Sequence, residues 1–536
     1  MAVGNSRSTC MSFRLTSAIV PLICAGAFGQ LLQVENAASL FTGDIAAGSL
    51  VRLQLIPQGG PVTPIDPATV SAQLNGSFSL PIRGFQDPSS VIVLIPSDTQ
   101  LGPASVTLSY NGSSATQGIN IVPSSFGLYS AGSGEAALAE NATGNGLQPN
   151  NLTHPAHPQD YVILWGTGLG TATADQVTVL LGGHAFPVTY AGPAPGFAGL
   201  DQINFQVPDD PSIPQGCYVA VNVAIGNSVS NLVTLSLSHD DGPCAHPFGL
   251  TADELAQLDG GGQVYVGQID LFSTIGPPAV SPLNPANGYA RMESATSNVL
   301  TYNAGTLSII SQPLFADDYL MGCTLTGGPV AAFLIGDFNA LSMGDQVNIQ
   351  GPDGKQLTLA GMPSFYSASV PAGPAVNTPD QLPAPFFSAG QWHASAPGNS
   401  NVLPFTALLT IPNPIRVTNF DQLTTVDHTQ DMNITWDSTT YSGADFVNVQ
   451  LYSQVPSEWF NPAQVVFCRV PAMAGQATIP AGLLASFQPA TGSLTLSIAR
   501  KPGTAAMFTV GLNDGTPPIP SVFQYHSAES IFVQFQ

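Results

Sequence analysis

The sequence predicts an all-β chain of tandem Ig-like β-sandwich domains, with one short helix after the second domain. Three observations carry this. Short runs rich in β-branched and aromatic residues recur along the chain, each bounded by Gly, Pro, Asn or Asp. A sequence repeat returns after little more than a hundred residues, the size of one sandwich. The 536 residues include 54 Gly and 47 Pro at 44% hydrophobic content, a composition of turns and packed interiors rather than of disorder.

Taken in order, residues 1–29 read as a secretory leader. Arg7 and Arg14 supply its positive region, Leu15 to Ala25 an uncharged apolar stretch, and Ala27 and Gly29 the small residues before a cut ahead of Gln30. That stretch falls short of the about 20 residues that cross a bilayer, so cleavage rather than anchoring is expected. Ile23 in front of Cys24 does not fit a lipoprotein. No membrane span is expected after cleavage, because the best later stretch, Pro329 to Gly336, is much too short.

Residues 30–122 form the first expected sandwich, with strands over Ser49–Leu55, Val91–Ile95 and Ala104–Tyr110 and a hairpin turn at Asn111-Gly112. Residues 123–243 form the second, with strands over Tyr161–Trp165, Gln176–Leu181 and Tyr218–Ala224; Pro123 to Asn151 connects the two. The repeat links them: Val91 to Asp98 and Gly102 to Leu108 answer Gln202 to Asp210 and Gly216 to Val221, offset by 112 residues at Pro96/Pro208 and 114 at Gly102/Gly216. A capping box of Thr251, Ala252, Asp253 and Glu254 opens the helix, and Gly260 to Gly262 ends it. A further helical turn is expected after Pro480, through Leu483 to Phe487. A β-rich third domain is expected over 244–412, turning at Asp353-Gly354 and containing a strand-poor stretch from Pro371 to Pro404. A sandwich-like fourth covers 413–536, with strands over Asn433–Trp436, Phe446–Tyr452, Val465–Val470, Leu494–Ile498, Ala506–Gly511 and Ile531–Gln534.

Tyr161-Val-Ile-Leu-Trp-Gly-Thr-Gly-Leu-Gly170, the segment Val188 to Pro208 with its Gly199-Leu-Asp-Gln-Ile-Asn204, and Asn227 to Leu235 resemble the Solibacter-type uncharacterised domain over about residues 124–238. Asn36-Ala-Ala-Ser39 with Ala47-Gly-Ser49 is similar to the start of such proteins. Met343 to Leu359 and Phe467 to Pro480 are similar, more loosely, to their C-terminal regions. The resemblance implies a secreted acidobacterial Ig-like protein of unknown function, and it brings no catalytic residues.

Charge and cysteines narrow the function classes. With 10 Lys+Arg against 33 Asp+Glu the net charge is −23, which excludes a phosphate-backbone binder, so no nucleic acid is expected as partner. Charged residues are 8% of the chain against about 25% in ordinary soluble domains, so Ser, Thr, Asn, Gln and backbone must wet the surface. Cys10 and Cys24 leave with the leader. The remaining Cys217, Cys244, Cys323 and Cys468 read as two disulfides of an oxidising compartment. Three pairings exist; Cys217 with Cys244 closes the shortest loop and leaves Cys323 with Cys468 by elimination, a pairing that stays open. No CxxC or HxxxH spacing supports zinc.

Chemistry is sparse. Gly166, Gly168 and Gly170 follow a strand, but no helix follows to meet a phosphate, so they read as a sandwich turn. No Gly-x-Ser-x-Gly, HExxH or Walker-type pattern occurs. His154 and His157, in a Pro-interrupted loop, and Asp240 and Asp241 are weak metal candidates, and acid-rich loops could supply oxygens to calcium. Asp209/Asp210, Asp253/Glu254 and Asp317/Asp318 are adjacent acids, which adjacency alone does not turn into a glycosidase pair. Trp165 and Trp436 lie in strand text and read as core, whereas Trp392 and Trp459 lie in loop-like text and are candidates for stacking against a sugar ring. The expected function is a secreted binding, adhesion or spacer module, extracellular or at the cell surface (or periplasmic), with no catalytic residues and a polysaccharide or cell-surface protein as partner. The alternative is an extracellular carbohydrate-active or other hydrolase with a site built from loops in residues 245–536.

Overall fold

A computed structural model describes residues 31–56, 64–130, 136–144, 146–226, 228–276, 288–302, 322–326, 341, 345–362, 365–443, 445–454, 465–485, 487, 491–500 and 506–536. The expected leader, Pro329 to Gly336, Asp317, Asp318 and Trp459 lie outside the described residues. The fold is all-β. Among the described residues no helix is long and apolar enough to cross a membrane.

The first sandwich packs a sheet of Leu31–Asn36, Leu50–Ile56, Ser90–Leu94 and Ile82–Gly84 on one of Asp44–Ala46, Ser113–Val122, Gly102–Tyr110, Ser71–Leu74 and Phe78–Leu80. Alternation places Val51, Leu53 and Leu55 in the core, while Arg52 reaches the carboxylates of Glu35 (3.2 Å) and Asp87 (3.0 Å). At the expected hairpin, Asn111 (φ 46°) and Gly112 (φ 77°) turn in the left-handed region that these two residues tolerate.

The second sandwich repeats the plan. One sheet runs Gly146–Pro149, Ala139–Thr143, Tyr161–Thr167, Asp201–Gln206, Tyr190–Pro193, with Gly127–Leu128 also beside Tyr161–Thr167. The other runs His184–Pro187, Val177–Leu181, Gly216–Ile225, Ser228–Val229, with Val233–Leu237 also on Gly216–Ile225. The expected helix follows as Ala252–Asp259. The Thr251 Oγ1 accepts from Glu254 N, and the Glu254 carboxylate accepts from Thr251 N at 2.7 Å. Leu255 and Leu258 join the second sandwich's core together with Val264, Val266 and Val522. The Asp259 carboxylate accepts from the Leu152 and Thr153 amides, which fastens the helix to that sandwich.

Beyond the helix, 14 described strands form one sheet that spans the two stretches 244–412 and 413–536. Val264–Gly276 pairs parallel with Ile519–Phe535 and antiparallel with Ala290–Tyr302. The sheet curls until Phe405 of Phe405–Ile411 stacks on Phe508 of Ala506–Val510, ring centroids 5.4 Å apart. A single apolar cluster fills this third unit, running from Ile269 and Trp392 to Val449 and Phe523. The expected helical turn is present as Ala481–Leu484, and Asp353 (φ 57°) and Gly354 (φ 72°) make the turn before Gln356–Met362.

Both disulfides form. Cys217–Cys244 ties the second sandwich to the segment before the helix, and Cys323–Cys468 joins directly opposed residues of Gly322–Thr326 and Val465–Pro471.

Candidate functional site

The sequence-derived candidates disperse. His154 is exposed, its Nδ1 3.1 Å from both Asn151 Oδ1 and Thr153 Oγ1, whereas the His157 Nδ1 lies 3.4 Å from Asp160 Oδ2. Asp240 and Asp241 are exposed. Among the described residues no three His, Cys, Asp or Glu side chains come together to hold an ion, so these four weak candidates gain no site, nor does the calcium that acid-rich loops could take.

Trp392 corrects the loop reading. It sits in the strand Gly390–Ala396, 0% exposed, packed against Phe386 and Phe387 with its Nε1 donating to Ser388 O at 3.1 Å. No sugar can reach its face. Trp165 is displaced the other way: it is half-buried on the outward face of its strand, while Trp436 is core as expected.

The third unit gathers a cluster of buried ionic groups, Arg291, Glu293 and Glu529, on the inner face of three neighbouring strands. Register aligns Glu293, Ser273 and Ser527 in one row and Arg291, Ile275 and Glu529 in the next. A hydrolase would need such carboxylates facing a cleft, but these are covered and engaged. Glu293 accepts from Phe386 N (2.8 Å), Phe387 N (2.9 Å) and Ser273 Oγ (3.1 Å). Glu529, 0% exposed, accepts from Val417 N at 3.0 Å, beside Arg416, which also donates to Asp380. Burial pushes the Glu529 carboxyl up from its usual range, and Arg416 pulls it back down. The Arg291 guanidinium donates to Pro383 O, and Ser527 Oγ accepts from Ile415 N. Together these groups pin the segments 379–389 and 413–417 across the sheet. An open depression of about 430 Å³ elsewhere in this unit is lined by Asn348, Ser395, Pro404, Phe405 and their neighbours, with no acid or histidine among them.

Asn36, Thr167 and Gly199 meet at one place, the joint between the two sandwiches. Asn36 is 2% exposed. It donates through Nδ2 to Ser125 O (2.9 Å) and Thr167 O (3.1 Å) and accepts at Oδ1 from Ala38 N (2.8 Å) and Ser39 N (3.1 Å). Thr167 Oγ1 accepts from Leu50 N of the first sandwich at 2.8 Å and donates to Gly199 O at 2.6 Å. Gly168 (φ 94°) and Gly170 (φ 63°) carry the connecting segment 123–127 so closely that a Cβ on either would strike Ser125 O or Pro123 O. The Asp201 carboxylate accepts from Leu169 N at 2.8 Å, and burial pushes it up to about 6. The Gly-rich turn is thus filled by the protein's own backbone and leaves no cradle for a phosphate. Replacing Gly170 by Ala is expected to cost the joint roughly 2 kcal/mol or more through strain and displaced backbone, measured as earlier thermal unfolding of the two sandwiches.

No family model matches the chain, and no curated protein matches it. Solved structures do. A Bacteroides ovatus mixed-linkage glucan utilisation locus protein, SGBP-B, in complex with a mixed-linkage heptasaccharide is 9% identical over 87% of this chain and 92% of its own, at a TM-score of 0.15. Domains 4–9 of the surface layer protein SbsC are 10% identical over 93% of this chain and 65% of that one, at 0.21. Domains FN1–FN3 of chicken CNTN1 are 8% identical over 72% and 99%, at 0.16. At such identities and TM-scores these likenesses assign the chain no ligand.

Proposed function

We propose that this chain is an extracellular binding or adhesion module, a series of coupled sandwiches that presents a surface to a polysaccharide or a cell-surface protein. The observation that carries the reading is the joint: a buried Asn and Thr and two left-handed glycines lock the first sandwich onto the second, which suits a protein that must hold a face at a fixed distance and angle. Two disulfides fit an oxidising exterior. The resemblance to the Solibacter-type domain belongs to the same proposal, because part of its motif set, Asn36, Thr167, Gly168, Gly170 and Gly199, builds the joint. The buried carboxylates of the third unit, engaged by covering backbone, favour architecture over hydrolysis.

Asn36→Ala deletes four hydrogen bonds at a buried position and is expected to cost about 2–4 kcal/mol at the joint. Small-angle scattering should then show a broader distribution of intramolecular distances than for the parent. An unchanged distribution would remove the coupled-array reading. Assay of the protein against a polysaccharide panel for reducing-end release tests it from the other side: turnover lost on Glu293→Gln or Glu529→Gln would establish the hydrolase instead.

A further inference from the structure

We propose that the outward face of the sheet through Tyr161–Thr167, in the second sandwich, is a stacking platform for an uncharged polysaccharide chain. The proposal rests on the reading of the protein as a binding module and gives that module its site. Strand register sets Tyr161 opposite Gln206, Trp165 opposite Gln202, and Asn204 between Ile163 and Tyr190, so three aromatic rings and three carboxamides share one face. Their neighbours Val162, Leu164, Ile203 and Phe205 point the other way, into the core.

The rings are held ready. Tyr190 donates its hydroxyl to Pro193 O at 2.9 Å, three residues along its own chain, and so lies over Gly192. A Cβ at Gly192 would come within 2.9 Å of that hydroxyl and 3.1 Å of Cζ, closer than side chains pack, so the missing side chain is what lets the ring lie down. Tyr190 is 37% exposed and Tyr161 43%. Strand spacing and rise put these two about 12 Å apart, a span for several linked sugars rather than one. Beside Tyr190 and Trp165, Gln202 Nε2 donates to Asn204 Oδ1 at 2.9 Å, which leaves a Gln202 acceptor and Asn204 donors for sugar hydroxyls.

Charge selects the ligand class. The six strands of this sheet contain no Lys or Arg, and of their two acids, Glu140 and Asp201, the second faces the core. An anionic polymer meets no base there and a chain of net charge −23 around it. A neutral glycan offers apolar C–H faces to the rings and hydroxyls to the carboxamides.

The test is affinity electrophoresis of the whole protein in gels containing hydroxyethylcellulose, glucomannan, dextran or polygalacturonate, with glucose as competitor. Retardation is expected in at least one neutral gel, none in polygalacturonate, and no relief by glucose. Tyr161→Ala and Tyr190→Ala should each weaken binding about tenfold, and Gly192→Ala, which touches no ligand, about fivefold, with unfolding midpoints unchanged. Retention that survives the Tyr161→Ala/Tyr190→Ala variant overturns this face while leaving the binding module standing. Retardation in no neutral gel, or equal retardation in polygalacturonate, overturns the ligand class. A dimer in sedimentation that Tyr161→Ala dissolves assigns the face to a second copy instead.

Discussion

Replacing Cys323 and Cys468 together by alanine is expected to destabilise the third unit by about 5 kcal/mol, with 2–5 kcal/mol the range usual for native bridges. The bridge closes 145 residues of chain, against 27 for Cys217–Cys244. In the chain-entropy account the longer loop restricts the unfolded ensemble more, by about 1.5 kcal/mol at these lengths. The bridge also joins Gly322–Thr326, at one end of the sheet, to Val465–Pro471, so its loss frees an edge strand as well as the unfolded chain. Urea unfolding followed through the buried Trp392 and Trp436 reads the effect. Equal losses from removing either bridge would refute the loop-length explanation.

Acid is expected to unfold the second sandwich by way of His246. The ring is 7% exposed; its Nδ1 accepts from Phe248 N at 3.1 Å and its Nε2 lies 3.0 Å from the Tyr218 hydroxyl. Burial lowers its pKa from 6.5 to about 3. Above pH 6.5 the ring is neutral in the folded and unfolded chain alike and costs nothing. Below it the unfolded chain takes up a proton that the folded chain refuses until about pH 3, so stability falls by about 1.4 kcal/mol per pH unit, roughly 2.7 kcal/mol between pH 6.5 and 4.5. Asp201 opposes this: its carboxyl protonates near 6 when folded, so acidification from there toward the ordinary carboxylate range favours the fold. The measurement is therefore a difference. His246→Gln, which keeps a partner for Tyr218 and cannot titrate, should unfold with a visibly flatter pH dependence than the parent between pH 6.5 and 4. Parallel curves would exonerate the histidine.

How much of this could be read from the residues depends on whether the signal was local. The capping box at Thr251, the Asn111-Gly112 and Asp353-Gly354 turns and the alternating strand of Val51, Leu53 and Leu55 all act within a few residues, and each stands where the sequence put it. Trp392 was misplaced because Gly, Pro and Ser crowd around it, although Gln391-Trp-His-Ala-Ser-Ala396 does alternate polar with apolar. Ile519–Phe535 was legible only at its end, since Ser521, Ser527 and Glu529 put polar groups on its buried side and break the apolar rhythm. Trp165 read as core because Tyr161-Val-Ile-Leu-Trp165 is apolar on both faces. The polar alternation of Gln202, Asn204 and Gln206 is the signal that this sheet has a wet side. No local rule could show that Asp201 holds the turn at Leu169, 32 residues earlier.

The strand Ile519–Phe535 has a bearing on how the protein is made. Its 17 residues lie between Val264–Gly276 and Thr491–Arg500, in the interior of the sheet rather than on its rim. A ribosome delivering this chain therefore releases two sandwiches able to close early and a third unit that stays open-edged until Ile519–Phe535 has emerged. Helper proteins that shield sticky polypeptide have the most to do during that wait, and a truncation ahead of Ile519 would leave the third unit without its keystone.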